Sequence, residues 1–222
     1  MKLSVNKLGE YMTATPSRRK QIIKDQKRPS TFKVARYTDA REAIVNYLSS
    51  NMTDEATAGD KIEELITSGG HSDFQMQDRV LSADAIENFL DVSDEINLDG
   101  VTVEAGERFS EEALEIDDVS ITMRPDALLK DEKTGEIVGC LKLHFPKSHP
   151  LDEKGCEYVA TAMRHHLTEN ISTPSAVIPS KCYVVDVSTG KVRTAPKAYK
   201  RRMNDITAAC EEISARWPRM TI

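Results

Sequence analysis

The chain has no apolar run near the roughly 20 residues that span a membrane, which predicts no membrane partner. Its first residues, Met1 to Lys7, lack the apolar stretch of a signal peptide. The four cysteines (Cys140, Cys156, Cys182 and Cys210) are far apart and show no CxxC spacing, so spacing does not support a zinc or iron–sulfur site. Together these absences predict a cytoplasmic protein with reduced thiols in or near its core.

Length and composition favour an ordered globular protein. The chain has 222 residues, of which 39% are apolar and 30% charged, and its net charge is −6. This profile is not that of a disordered chain, and there is no internal repeat or low-complexity segment. The length fits one large domain or one domain with a small extra lobe.

The charge is unevenly spread along the chain. Arg18 to Arg36 contains eight basic residues and one acid, and Lys191 to Arg202 contains six basic residues and no acid. Asp84 to Asp118 is acidic, with Arg108 as its only base. Basic segments of this kind could flank the phosphate backbone of a nucleic acid, although a solvated surface is the simpler interpretation. The candidate nucleic-acid contacts are Arg18, Arg19, Lys20, Lys200, Arg201 and Arg202.

Helical patterns dominate the first part of the chain and strand patterns the second. Apolar spacing and capping residues predict helices at 3–11, from Thr15-Pro16, at 39–48 and 59–66, and from Ser82. Strands are predicted at 116–129, 136–145, 181–187 and 191–194, with helices at 152–170 and 196–217. The order predicts an α/β (α+β) fold in which helices flank a central mixed β-sheet. The expected division is an N-terminal helical region, 1–95, packed on an α/β core, 96–222.

The central feature is a predicted hairpin that spans Val119 to Pro146. Because strand side chains alternate between two faces, Leu141, Leu143 and Phe145 are expected on one face and Lys142 and His144 on the other. Arg124 and Asp126 share a face of the first strand. A polar cluster on an otherwise apolar hairpin is satisfied internally or takes part in chemistry.

Pro125-Asp126 near a strand end, followed sixteen residues later by Lys142 and then by a helix, resembles the PD-(D/E)XK nuclease superfamily. The resemblance extends over roughly 101–217. It implies a restriction-endonuclease-like core, DNA as the partner, and Mg²⁺ or Mn²⁺ as the cofactor. By the same resemblance, Asp126 would be a metal ligand and Lys142 the catalytic lysine, which would act on water or the scissile phosphate.

The sequence departs from that motif two residues before the lysine, where the usual acid is replaced by Cys140. A neutral thiol is a poor ligand for Mg²⁺, which prefers oxygen. Some members of the superfamily carry the acid on the helix after the lysine strand, and Glu157 is our replacement candidate for both metal binding and catalysis. Asp152 and Glu153 are weaker candidates, and a solvated helix glutamate is an equal alternative for Glu157.

Several further residues are secondary candidates. Ser4 to Tyr11 is similar to the opening segment of RecB-type exonucleases, and His71 is similar to their upstream histidine, which can contact a metal. A loop histidine is the simpler interpretation of His71. Glu42 is a candidate upstream acid, and His144 would assist proton transfer or be a satisfied structural residue.

Three functional hypotheses follow from these residues. The first is a metal-dependent nuclease that hydrolyses DNA phosphodiester bonds through two acids and a lysine. The second is a catalytically inactive protein of the nuclease fold that binds DNA or protein. The third is an α+β binding protein unrelated to nucleases, which Asp126 and Lys142 on opposite faces of the sheet would favour. The sequence leaves open whether the chain binds a second copy of itself or another protein.

Overall fold

The computed structural model describes residues 1–28, 36–70, 72–106, 113–171 and 173–220. Within these ranges, the helices are α1 (Val5–Thr13), α2 (Pro16–Lys27), α3 (Thr38–Ser49), α4 (Glu55–Thr67), α5 (Asp73–Leu90), α6 (Glu153–His166) and α7 (Lys200–Arg216). The strands are β1 (Lys2–Ser4), β2 (Val101–Ala105), β3 (Ala113–Ile116), β4 (Val119–Thr122), β5 (Ala127–Asp131), β6 (Ile137–His144), β7 (Cys182–Asp186) and β8 (Lys191–Thr194).

The strands form two mixed sheets. The larger sheet has the order β2-β5-β6-β7-β8, with β6 and β7 parallel and the other neighbours antiparallel. The smaller sheet has the order β1-β4-β3, with β1 parallel to β4. Helix α6 connects β6 to its parallel neighbour β7, as such a pair requires. The predicted α/β class, with a central mixed sheet flanked by helices, is confirmed.

Each face of the five-stranded sheet packs against a different set of helices. Leu141, Leu143 and Phe145 lie in an apolar cluster with residues of α3, α4 and α5. Cys140 points to the other face and lies in a cluster with residues of α1, α2, α6 and α7. The alternation predicted for β6 is therefore confirmed, and it explains why nearly every residue of this strand is buried.

The strand predicted at 116–129 is wrong, because the chain forms two strands there. Strand β4 belongs to the small sheet, and β5 begins only at Ala127, in the large sheet. Pro125 lies in the gap between them. Proline has no N–H to donate to a ladder, so it ends one strand and lets the chain move to the next sheet. The hairpin is therefore β5–β6, and Asp126 sits at its mouth.

Local signals explain the ends of several elements. Thr15 and Pro16 start α2 as predicted, with the Thr15 hydroxyl accepting the Arg18 amide. The helix predicted at 3–11 lies two residues further along the chain, because Leu3 pairs with Ile121 and α1 runs from Val5 to Thr13. Contacts therefore cross the predicted boundary at residue 95: β1 pairs with β4, and α1 packs on α6. Within the described ranges, no helix combines the length and apolar character needed to cross a bilayer.

Candidate functional site

Asp126 and Lys142 face each other across the mouth of the β5–β6 hairpin. The register pairs Ala127 with Leu141, and the Asp126 amide donates to the Leu141 carbonyl at 2.8 Å, which places Asp126 opposite Lys142. Lys142 Nζ donates to Asp126 Oδ2 at 2.8 Å. Both side chains are buried: Asp126 is 3% exposed and Lys142 is 9% exposed. The two residues thus share one face of the sheet, which removes the observation that would have favoured an unrelated binding protein.

The Asp126 carboxylate has protein partners on both of its oxygens. The Leu143 amide donates to Oδ2 at 2.7 Å, alongside Lys142. Oδ1 pairs with the Arg41 guanidinium, which reaches over from α3. The guanidinium carbon of Arg41 also lies 5.2 Å from the ring centroid of Phe145, a cation–π distance. One buried anion is therefore held by two cations and a backbone N–H, which compensates the cost of its burial.

Burial lowers the pKa of both cations in this cluster, Lys142 and Arg41. It lowers the pKa of Lys142 to about 7, and the nearby positive charge of Arg41 acts the same way. Burial also lowers the pKa of Arg41, although a guanidinium remains protonated at any physiological pH.

An open cleft of about 840 Å³, here called the Asp126 cleft, exposes this cluster to ligands. Its walls come from the start of α1, one face of α3, the end of β2 and the segment between β4 and β5. Its charged lining residues are Arg41, Glu42, Arg124, Asp126 and Lys142. Its uncharged polar lining residues are Ser4, Asn6, Thr38, Asn46 and Thr122. The cleft is therefore a polar site with three cations and two anions.

A glycine allows the backbone to close tightly beside the cleft. Gly106, just after β2, donates its amide to the Asp126 carbonyl at 3.0 Å. A Cβ atom at this position would lie only 2.1 Å from the Pro125 carbonyl oxygen. Glycine is therefore needed for β2 to approach the Pro125-Asp126 segment and fix its position.

The structure does not bring Glu157 to Asp126. The Glu157 carboxylate pairs with Arg202 of α7, and Glu157 is not among the residues that line the cleft. The other acids near the start of α6 are also engaged: Asp152 caps the helix through the Gly155 amide, and Glu153 pairs with Arg193. Helix α6 lies on the same face of the sheet as Lys142, but these acids turn away from the cleft.

Cys140 occupies the position of the missing acid and is fully buried. It pairs in register with Cys182 on β7. The contact with Cys182, together with burial, raises the pKa of the Cys140 thiol well above its ordinary value. A protonated thiol in the core supplies no metal ligand to the cleft.

Of the secondary candidates, Glu42 is the one that lies at the Asp126 cleft. It is exposed, follows Arg41 on α3 and lines the Asp126 cleft. His71 falls outside the described residues. His144 is buried outside the cleft lining, and its Nε2 donates to the His149 carbonyl at 2.9 Å.

The residues around Asp126 do not fit a resident Mg²⁺ or Mn²⁺. Such ions take six oxygen ligands, several of them from carboxylates or water. Both Asp126 oxygens are engaged by protein donors, and Glu42 is the other acid that lines the cleft. Across the ranges given above, no group of three His, Cys, Asp or Glu side chains is placed to hold a metal.

Three of the six predicted nucleic-acid contacts are engaged in ion pairs. Arg18 pairs with Glu10 at 2.5 Å, Arg19 with Glu212 at 3.3 Å, and Arg202 with Glu157. Lys20, Lys200 and Arg201 are exposed. None of the six lines the Asp126 cleft. Besides Lys142, the cations that line it are Arg41 and Arg124, and the sequence does not indicate these two as ligand contacts because neither belongs to a dense basic run.

The chain has no match among protein-family models, curated proteins or solved structures. The resemblance to PD-(D/E)XK nucleases therefore depends on its own residues and on the order of its elements.

His144 makes stability depend on pH. Burial lowers its folded-state pKa below the ordinary 6.5, although the His149 carbonyl and Asp186 favour the protonated form. A histidine kept neutral by folding loses stability as the pH falls from about 6.5 towards the lowered value, by at most about 1.4 kcal/mol per pH unit. We expect His144→Gln to reduce this loss of stability at acidic pH. The check is urea unfolding of both proteins between neutral and mildly acidic pH; parallel curves would contradict it.

Proposed function

We propose that this chain is a DNA-binding protein of nuclease-like fold, in which the Asp126 cleft holds a phosphate of the DNA backbone without a metal ion. The observation that carries the proposal is the neutralised carboxylate: Lys142 and Arg41 take the place beside Asp126 that a divalent cation would need. This corresponds to the second of the hypotheses drawn from the sequence.

The charge balance of the cleft is compatible with an anionic ligand. Three basic side chains and two acids line it, and because the pKa of Lys142 is about 7, the net charge of the described lining lies between zero and one positive at neutral pH. Arg124 is exposed and makes no ion pair with any other described residue, which leaves its guanidinium to a ligand. A guanidinium binds a phosphate through two parallel N–H donors.

Arg124→Ala is expected to weaken DNA binding about 10- to 150-fold, because one charge-assisted contact is worth about 1.5–3 kcal/mol. The substitution should also make the fall of log affinity with log salt concentration less steep, reducing the magnitude of its slope by slightly less than one. The measurement is fluorescence anisotropy of a labelled oligonucleotide over a salt series. Arg219→Ala is the matched control, since Arg219 is also exposed but lies outside the cleft. Equal losses in the two variants would reject the cleft as the binding site.

A second candidate is metal-dependent hydrolysis of DNA, and the position of Glu42 favours it. Glu42 lines the same cleft as Asp126 and Lys142, which supports this candidate, although both Asp126 oxygens are engaged by protein donors that would have to be displaced for a metal to bind. The test is cleavage of single- and double-stranded DNA with Mg²⁺ or Mn²⁺ by wild type, Asp126→Ala, Lys142→Ala and Glu42→Gln. Cleavage lost in all three variants would establish hydrolysis, whereas equal cleavage by all four proteins indicates a contaminant.

A further inference from the structure

A second cavity, here called the Tyr37 cavity, continues from the Asp126 cleft. Its volume is about 640 Å³, and it shares Ser4, Asn6 and Arg41 with the cleft. Four cations line it: Lys7, Arg36, Arg41 and Lys147. No acid belongs to its described lining. The two cavities thus adjoin each other at these three residues; together they are here called the groove, and its basic end lies away from Asp126.

The basic residues of the Tyr37 cavity keep donors for a ligand. Lys7 pairs with Glu10 at 2.5 Å, and Lys147 pairs with Asp84 at 2.9 Å. An ammonium has three N–H donors, so one carboxylate partner leaves others free to meet a phosphate. Arg36 is exposed, with its guanidinium carbon 4.6 Å from the Phe74 ring centroid.

An aromatic stack stands among these cations. The Tyr37 and Phe145 rings are 5.0 Å apart between centroids and inclined by 13°. Phe145 is buried, whereas Tyr37 is half-buried and lines the cavity. Phe145 therefore covers one face of the Tyr37 ring, and Tyr37, which keeps part of its surface exposed, borders the cavity.

The backbone of Tyr37 is held in an uncommon conformation. Its φ is +60°, in the left-handed region that non-glycine residues rarely adopt. The Tyr37 amide donates to Asp78 Oδ1 at 3.2 Å, and its carbonyl accepts the Arg41 amide at 3.0 Å. Such conformations persist where the surroundings fix them, and they concentrate at functional sites. Here the conformation places the Tyr37 ring one helical turn from Arg41.

We infer that the groove takes a single strand of nucleic acid, with one phosphate at Arg124 and Arg41, a base stacked on Tyr37, and the next phosphates at Arg36 and Lys147. This inference deepens the proposed function and rests on it. Cations beside an exposed aromatic ring are the arrangement by which proteins bind single strands irrespective of sequence. In a duplex the bases are stacked on each other and paired, so they do not offer a free face to Tyr37.

The test compares a labelled oligothymidine strand with a duplex of equal length by fluorescence anisotropy. Wild type is expected to bind the strand more tightly than the duplex. Tyr37→Leu, which keeps apolar bulk but removes the ring, should weaken binding of the strand about tenfold and leave duplex binding unchanged. Tyr37→Phe is the matched control and should bind as wild type does, because the stacking ring remains.

A second readout does not depend on affinity. In Tyr37→Trp, oligothymidine should quench a new indole emission, whereas wild type, whose only tryptophan is Trp217 of the C-terminal turn, should show no such change. Equal affinities for strand and duplex, unaltered by Tyr37→Leu, would overturn the inference while leaving phosphate binding at Arg124 intact. Failure of wild type to bind either DNA would reject both proposals.

Discussion

Asp126→Asn is expected to lower the free energy of unfolding by about 3–5 kcal/mol. The amide is nearly the same size as the carboxylate, so the loss comes from charge. Lys142 is buried with a pKa of about 7, so without its anion it either stays charged and unpaired or loses its proton, and Arg41 loses its ion pair as well. Breaking a buried pair by removing one partner is costly because the other charge stays buried. Urea denaturation monitored by circular dichroism measures the change.

Glu42→Gln is the matched control for this prediction. Glu42 lines the same cleft but is exposed, so its loss should change stability by no more than about 0.5 kcal/mol. Adding Lys142→Met to Asp126→Asn should restore much of the lost stability, because the unpaired buried cation is then removed as well. A loss below about 1 kcal/mol in Asp126→Asn would show that water or other groups already satisfy Lys142.

The hairpin that brings Asp126 near Lys142 was predictable from the sequence, because two strand patterns flank the turn at Lys130 to Gly135. The direct opposition of the two residues was not, because the register shifts by one residue between Leu129 and Lys130, and this bulge places Asp126 instead of Pro125 opposite Lys142. Arg41 was not predictable in the same way. It arrives from a helix far upstream, and no motif in the sequence says which face of the sheet that helix covers.

Glu157 shows why a helix position is harder to place than a strand position. The sequence predicted the helix after the lysine strand, and α6 is there. The direction in which a residue points, however, depends on how the helix is rotated against its neighbours. Burial of Cys156, Val159 and Ala160 fixes that rotation, and it turns Glu157 towards Arg202 of α7. The packing of α6 against its neighbours, which the sequence motif does not describe, thus directs Glu157 away from Asp126.

Gly139→Ala is expected to destabilise the protein by about 3 kcal/mol, at the upper end of the usual cost of overpacking. A Cβ atom at Gly139 of β6 would lie 2.1 Å from the Lys181 carbonyl oxygen and 2.6 Å from its carbon. Both atoms belong to the backbone that leads into β7, so no side-chain rotation relieves the clash. The start of β7 must move, which disturbs the Cys140–Cys182 pairing beside Lys142.

Gly59→Ala is the matched control, because the same methyl group is added where nothing lies within 4 Å of it. Gly59 is exposed in the interior of α4, where alanine is favoured over glycine by about 0.5–1 kcal/mol. The two variants should therefore shift the unfolding midpoint in opposite directions in one thermal-melt experiment. If both shift it upwards, the approach of β6 to Lys181 is looser than the structure has it. The parallel pairing of β7 with β6, the strand that contains Lys142, would then not depend on a glycine at this position.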